Sequence, residues 1–199
     1  NLTEDLVLSG GVDARYYVGS HWYEVADLLG GQFYINESDD ENTFGQALKV
    51  GDRFNKDYDG IVLRSGLFAQ AEYAPSTDLS IFVATAISNT TYSKKEFMYY
   101  APDDPARESD KVDFLGYSIK GGANYNIDNT NNVFVNIGYF SKAPFLDGNV
   151  FQSDSSTAFN EEALNEKVFS AELGYGFRSD KLSANVNIYY TTWIDKSLT

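Results

Sequence analysis

Residues that could do chemistry are few in this sequence and stand apart from one another. The single histidine, His21, could contact a ligand or a metal, although a lone histidine is more often an ordinary surface residue. The acidic run at 39–42 carries oxygen ligands of the kind that Ca²⁺ binds, but it lacks the spaced carboxylates of a dedicated calcium loop. With no cysteine and one histidine, the chain cannot build a His-based metal cluster or a His-dependent triad. The residues therefore predict no catalytic group, no metal site and no cofactor.

Aromatic side chains between the strand-like segments are the main candidates for ligand binding. Planar rings stack on sugars and other ring-bearing ligands, but they also pack connecting segments against one another. Both interpretations stay open at this point. The predicted binding residues are Trp22, Tyr23, Tyr34, Tyr99, Tyr100, Phe145 and Phe151, with Phe33 and Phe97 close to them in the sequence.

The composition indicates β-structure and excludes some partners. The 199 residues include 15 Tyr, 14 Phe and 16 Gly but only 4 Pro, which favours strands over helices. The formal charge of −14 argues against nucleic acid, because binding there depends on neutralising phosphates with Lys and Arg. No run of about 18 apolar residues predicts a transmembrane helix. The low mean hydropathy does not exclude a membrane β-barrel, in which only alternate strand residues are apolar.

Seven segments alternate between apolar and polar residues, as strands with one apolar and one polar face do. In the segment 182–191, for example, Val186, Ile188 and Tyr190 alternate with Asn185, Asn187 and Thr191. The segments cover approximately residues 6–17, 61–73, 79–88, 115–125, 132–139, 169–177 and 182–191.

The connections between these segments alternate in length. Short polar turns are predicted at 74–78, 128–131 and 178–181, and long loops at 18–60, 93–111 and 141–166. In an antiparallel meander, strict alternation of this kind places every long loop at the same end of the sheet. Short turns, long outer loops and alternating strands of roughly 10 residues are typical of an outer-membrane barrel.

A soluble β-sandwich would also alternate, because its apolar face packs against a second sheet. Three features favour the barrel. The polar faces carry charged and small residues suited to a wet lumen, and aromatic residues gather at strand ends, where membrane interfaces favour them. Soluble sandwiches also rarely keep three loops of ~20 to 40 residues on one edge, since connections are usually ~4 to 6 residues long.

Several segments resemble the barrel wall of TonB-dependent outer-membrane receptors. The stretch 132–145, NVFVNIGYFSKAPF, is similar to a family strand that ends in a basic residue followed by Ala-Pro. The segment 165–176 resembles the next family strand with its Glu-x-Gly sequence, but the preceding Pro of the family is missing here. The ending WIDK at 193–196 and the strands at 11–17 and 66–73 are also similar. With DLLGG at 27–31, the likeness is greatest to Bacteroidetes receptors that carry a carboxypeptidase-like N-terminal extension.

The resemblance implies one all-β domain over residues 1–199, an antiparallel meander that forms part of a transmembrane β-barrel. Family barrels have about 22 strands around a plug. The missing plug, the first residue Asn1 and the seven strands therefore predict a fragment, about a third of the wall. Charged residues on the polar faces (Arg64, Glu72, Lys120 and Glu172) are then expected to pair with one another or with the plug, rather than to act as acids and bases.

The implied function is import of a scarce nutrient across the bacterial outer membrane, such as an iron chelate, a cobalamin-like cofactor or an oligosaccharide. The expected partners are a nutrient at the outer loops, TonB through the absent plug segment, outer-membrane lipid and a surface lipoprotein; nucleic acid is not among them. No enzymatic activity is expected. The alternative is a soluble or cell-surface β-rich binding module of adhesin type, with its loops forming a recognition edge.

Overall fold

The computed structural model describes residues 5–37 and 40–196, and strands dominate it. The alternating segments form strands because β-branched and aromatic residues suit an extended, pleated backbone. The strands are Leu6–Glu24 (β1), Tyr34–Ile35 (β2), Ala47–Leu48 (β3), Arg53–Tyr73 (β4), Leu79–Glu96 (β5), Val112–Asn126 (β6), Asn131–Lys142 (β7), Glu166–Arg178 (β8) and Ser183–Ile194 (β9). Helical structure in the described residues is confined to a 3₁₀ turn at Pro105–Arg107 and a π turn at Leu146–Val150. None of the described helical segments is long and apolar enough to cross a membrane.

Seven of the strands form one antiparallel meander in the order β1-β4-β5-β6-β7-β8-β9. This confirms the prediction of an all-β, seven-stranded antiparallel meander. The two short strands β2 and β3 pair in a separate hairpin inside the first long connection. In the described part of the chain, β1 and β9 are the outer strands of the sheet and do not pair with each other, so the sheet is open.

The pairing register places the alternating apolar residues of all seven strands on one face. Val12 pairs with Leu67, which pairs with Ile87. Across the other half of the sheet, Val135 pairs with Leu173, which pairs with Ile188. These positions are exposed in the isolated chain, with Val12 at 78% and Ile188 at 76%. We call this side the apolar face and the opposite side the polar face.

The three predicted turns lie at one end of the sheet, and three long loops lie at the other. We call these the turn end and the loop end, and the first, second and third loops are residues 25–52, 97–111 and 143–165. In the turn between β6 and β7, Asp128 accepts hydrogen bonds from Thr130 and Asn131. The Thr130 hydroxyl, then the Thr130 N–H and Asn131, hold the pKa of Asp128 at about 2.

The strands are longer at the loop end than the alternation predicted. β1 ends at Glu24 instead of residue 17, β4 begins at Arg53 instead of residue 61, and β5 continues to Glu96 instead of residue 88. Polar residues occupy both faces of these extensions, so the apolar alternation by which strands were recognised stops short of them. Pairing between neighbouring strands continues to the ends, interrupted by one bulge after Trp22 at which Asn55 takes a positive φ of 59°.

Glycines on the polar face make room for phenylalanine rings from the same strand or from a neighbouring one. A Cβ added at Gly174 would overlap the ring of Phe134, and one added at Gly138 would lie 2.8 Å from the ring of Phe140. A Cβ at Gly11 would similarly lie 2.8 Å from Phe68. Small residues on this face, expected only to line a wet lumen, therefore also receive aromatic rings that cover the bare backbone.

Candidate functional site

The three loops at the loop end are joined by hydrogen bonds into one assembly. Asn42 of the first loop donates from Nδ2 to the carbonyl oxygens of Phe97 (2.7 Å), Met98 (3.0 Å) and Tyr100 (3.1 Å) in the second. The Thr157 hydroxyl of the third loop donates to the Ala106 carbonyl of the second at 2.6 Å. The loops thus form a connected surface rather than three independent flexible segments.

The acidic run considered for Ca²⁺ is a structural part of the first loop. Asp40 is 2% exposed and accepts hydrogen bonds from Asn36, from the N–H and hydroxyl of Thr43, and from the N–H of Asn55. Burial by itself would raise the pKa of Asp40, but the bonds from Thr43, Asn36 and Asn55 outweigh it and lower the pKa. The carboxylate oxygens of Asp40 are therefore occupied by donors. Asp39 lies outside the described residues.

His21 lies on β1 and packs against Tyr58, with ring centroids 4.9 Å apart and an interplanar angle of 19°. In the part of the chain that the structure describes, no three His, Asp or Glu residues are grouped to hold a metal ion. The contact gives His21 a packing role beside a tyrosine that is 1% exposed.

The third loop folds back over the polar face and forms the hydrophobic core of the loop end. Val150 (0% exposed) and Phe151 (4%) pack with Tyr92 and Phe114 of the sheet. The Tyr92 hydroxyl donates to the Pro144 carbonyl oxygen at 2.7 Å. The third loop thus covers the polar face at the loop end.

A buried lysine holds this loop in place. Lys94 of β5 is 3% exposed, and its ammonium donates to the carbonyl oxygens of Asp154, Ser156 (3.2 Å) and Ser153 (3.4 Å). The ammonium also lies 3.5 Å from Glu96 Oε2 and 4.2 Å from the centroid of the Tyr58 ring.

Burial works against the charged forms of both members of this ion pair. It lowers the pKa of Lys94 and raises the pKa of Glu96, and the attraction between the two groups opposes both shifts only in part. Glu96 Oε1 accepts from the N–H groups of Phe97 and Met98, whereas Oε2 accepts no hydrogen bond from the described residues. Each charge therefore depends strongly on the presence of the other.

The predicted aromatic binding residues fall into three groups. Phe151 is buried in the core because the third loop carries it inward, so its ring is not open to a ligand in this structure. Trp22 and Tyr23 lie on β1 instead of in a loop, and Arg53 lies 4.4 Å above the Trp22 ring. Trp22 and Tyr23 nevertheless stay exposed, at 43% and 52%.

The second-loop tyrosines are partly committed to the fold, and two other aromatics are open. The Tyr99 hydroxyl donates to Asn55 Oδ1 at 2.6 Å, and the Tyr100 oxygen accepts from the Thr157 N–H at 3.4 Å. Tyr34 packs at 5.5 Å against Phe54 but stays 40% exposed, and Phe145 is 64% exposed. The structure thus does not bring the seven aromatic residues together into one site.

Among the described residues, the charged residues Arg64, Glu72, Lys120 and Glu172 do not pair with one another, so their pairing with a plug stays a prediction. Glu172 accepts from the side chains of Asn136 and Asn187, and Glu72 accepts from Gln70. Among the described residues, the one ion pair of Arg64 is a long contact of 3.9 Å with Asp13. Lys120 makes no ion pair within the described part of the chain.

Two clefts open on the polar face, and sequence patterns predicted neither. One of about 560 Å³ lies at the turn end and is lined by Glu72, Phe82 and Lys120 among others. The second, of about 530 Å³, lies beneath the start of the third loop. It is lined by Arg15, Arg64, Tyr92, Phe140 and Phe145, together with the hydroxyls of Ser88, Thr90 and Ser118.

The charge is distributed unevenly between the loops and the clefts. The three loops contain fourteen Asp and Glu residues but only three Lys and Arg, and thus carry most of the chain's net charge of −14. The second cleft, in contrast, has Arg15 and Arg64 on its wall. A ligand that approaches from the loop end would meet an acidic surface first and a basic cleft behind it.

The sequence comparisons identify no relative of this chain. No protein-family model matches the chain, and no curated protein matches it significantly in sequence.

Proposed function

We propose that this chain forms part of the wall of a transmembrane β-barrel in a bacterial outer membrane. The observation that carries the proposal is the apolar face, to which all seven strands contribute exposed residues in register, from Val12 on β1 to Ile188 on β9. Contiguous apolar surface on this scale requires a cover, since soluble monomers rarely expose patches larger than a few hundred Å². A lipid bilayer would cover the apolar residues of all seven strands at once.

The length of the apolar band fits a bilayer. On β5 the outward apolar positions run from Leu79 to Ile87, and on β8 from Phe169 to Phe177, which is nine residues in each case. A tilted transmembrane strand needs about 9 to 11 residues. Beyond this band, the outward-facing positions of β5 are polar, beginning with Asn89. In this proposal the strand extensions and the loops therefore lie outside the membrane.

Nutrient uptake of the TonB-dependent type is the function that we infer for this barrel. It is supported by the resemblance of the strand sequences, by polar-face clefts large enough for a small ligand and by long interlocked loops at one end. In such a receptor the nutrient binds from the loop end, and TonB acts on a plug inside the barrel. The plug and the remaining strands would be supplied from outside residues 1–199.

The direct test uses the intact product of the gene that encodes this chain. After expression in a Gram-negative host, the protein should be recovered in the outer-membrane fraction and should migrate faster on a gel when it is not boiled, as folded barrels do. Growth of a deletion strain on individual sugars and iron sources should then reveal one nutrient that is no longer used. A product that is folded and monodisperse without detergent would instead favour the adhesin-like binding module.

A further inference from the structure

Two arginines on the polar face stand opposite each other, and one long contact is the only ion pair that they make with the described residues. Arg15 of β1 and Arg64 of β4 are direct partners in the antiparallel pairing, so both side chains leave the same face. Like charges directly opposite each other destabilise a strand pair. Arg64 has only the 3.9 Å contact with Asp13, and Arg15 forms no ion pair with any described residue.

The pair lies in a half-open cleft on the polar face, and the Arg64 side chain stays 50% exposed. Both arginines line the cleft of about 530 Å³, whose roof includes Pro144 and Phe145 of the third loop. The roof is held by the hydrogen bond from Tyr92 to Pro144. A cleft of this volume suits a small organic ligand.

The remaining cleft wall offers contacts of two kinds. Phe140 and Phe145 line the cleft, and Phe145 is 64% exposed. The ammonium of Lys142, a further lining residue, lies 4.8 Å from the centroid of the Phe145 ring and pairs with Glu166. Ser88, Thr90 and Ser118 add hydroxyl groups that can donate or accept hydrogen bonds. Guanidinium groups bind carboxylate and phosphate with two parallel hydrogen bonds, which an ammonium cannot do.

We propose that this cleft binds a small organic anion, with its carboxylate or phosphate between Arg15 and Arg64 and an attached ring against Phe140 and Phe145. This site rests on the proposed function, because it names the ligand class that the barrel takes up.

The acidic loops narrow the ligand class further. Their excess of eleven negative charges repels an approaching anion, and the repulsion grows with the charge that the anion carries. Screening at physiological ionic strength limits the repulsion to roughly 8 Å, so the loops act on approach more than on the bound state. A single anionic group on an otherwise neutral, ring-bearing body is therefore favoured over a multiply charged anion.

The test compares two probes that differ in charge but hardly in shape, the anion 2-naphthoate and the neutral 2-naphthamide. Binding to the intact, detergent-solubilised gene product is measured by equilibrium dialysis, with protein-free micelles subtracted. We expect the wild type to bind 2-naphthoate at least about tenfold more tightly than 2-naphthamide, because hydrogen bonds to charged groups are worth about tenfold or more each. The preference should fall as NaCl is raised.

Variants assign the preference to the cleft. Arg15→Gln and Arg64→Gln should each weaken 2-naphthoate binding by about tenfold and leave 2-naphthamide almost unchanged. The matched control is Lys120→Gln, which removes an exposed cation from the same face but from the other cleft, and it should change neither probe by more than about twofold.

Two results would overturn the site. One is equal binding of the two probes by the wild type. The other is a lower thermal stability of the arginine variants with unchanged 2-naphthoate binding, which would mean that a carboxylate elsewhere in the gene product pairs with the arginines. Gel mobility and membrane fractionation of the same preparations report separately on the barrel. A heat-modifiable outer-membrane protein without the anion preference therefore refutes this site alone.

Discussion

Replacement of Lys94 by methionine should release the third loop from the polar face. Methionine keeps a flexible apolar stem of similar length but removes the ammonium and its hydrogen bonds to three carbonyl groups of residues 153–156. It also leaves Glu96, 1% exposed, as a buried carboxylate without its cation.

The cost follows from the burial of the pair. Removal of one member of a buried ion pair typically destabilises a structure by about 3–5 kcal/mol, because the remaining charge is uncompensated. Since the loop contacts depend on this pair, we expect the loss mainly in the free energy of local loop opening. Three kcal/mol corresponds to roughly a hundredfold faster amide exchange in residues 143–165.

The assay is hydrogen exchange with mass spectrometry on the intact gene product. The adjacent residue, Lys95, provides a matched control. Lys95 points to the opposite face, is 40% exposed in its side chain and pairs with the exposed Glu108. Lys95→Met should change exchange of the third loop by less than about fivefold, since exposed pairs contribute at most about 1 kcal/mol.

A second variant separates the charge from the packing. Glu96→Gln added to Lys94→Met removes the orphaned carboxylate while the amide oxygen can still accept from the N–H groups of Phe97 and Met98. The double variant should recover part of the lost protection. Equal exchange in the Lys94 and Lys95 variants would refute the view that the buried ammonium anchors the loop.

Three further predictions concern the sheet and one turn. Gly174→Ala should lower stability by about 1–3 kcal/mol in chemical denaturation, because the new methyl group overlaps Phe134, and Phe134→Leu should restore part of it; no recovery would contradict the overlap. Ile188→Arg on the apolar face should impair membrane insertion by about 2–4 kcal/mol, and Asn187→Arg on the polar face much less; equal effects would contradict the face assignment. With a pKa of about 2 in the folded state against about 4 unfolded, Asp128 stabilises fully above pH 4 and progressively less down to pH 2. Thermal unfolding at pH 2–5 should show that Asp128→Asn loses this pH-dependent contribution, and identical pH profiles would contradict it.

Sequence patterns predicted the sheet well where one side of a strand is apolar. The period-two alternation around Val135, Leu173 and Ile188 was enough to locate three strands and to place these residues on one face. The short polar turns set the antiparallel order. Alternation did not reveal the strand extensions, where residues such as Asp57 and Lys94 are polar and pairing alone maintains the strand.

The loop end was hard to predict because its contacts join distant parts of the chain. Phe151 is buried through contacts with Tyr92 and Phe114, which precede it by more than 35 positions. The cleft brings Arg15 together with residues of the third loop in the same way. An isolated arginine in a strand pattern carries no sign that another arginine lies directly opposite; the pairing register supplies that information.

The most direct test of the membrane wall is a cysteine scan along β6, in a background without other cysteines. The chain itself has none. Residues 115–125 would be replaced one at a time, labelled with a fluorescent maleimide and reconstituted in lipid bilayers. Quenching by lipid-attached nitroxide should alternate along the strand, strong at Ile119 on the apolar face and weak at Lys120 on the polar face. A scan with no alternation, or with all positions quenched by aqueous iodide alone, would contradict the barrel.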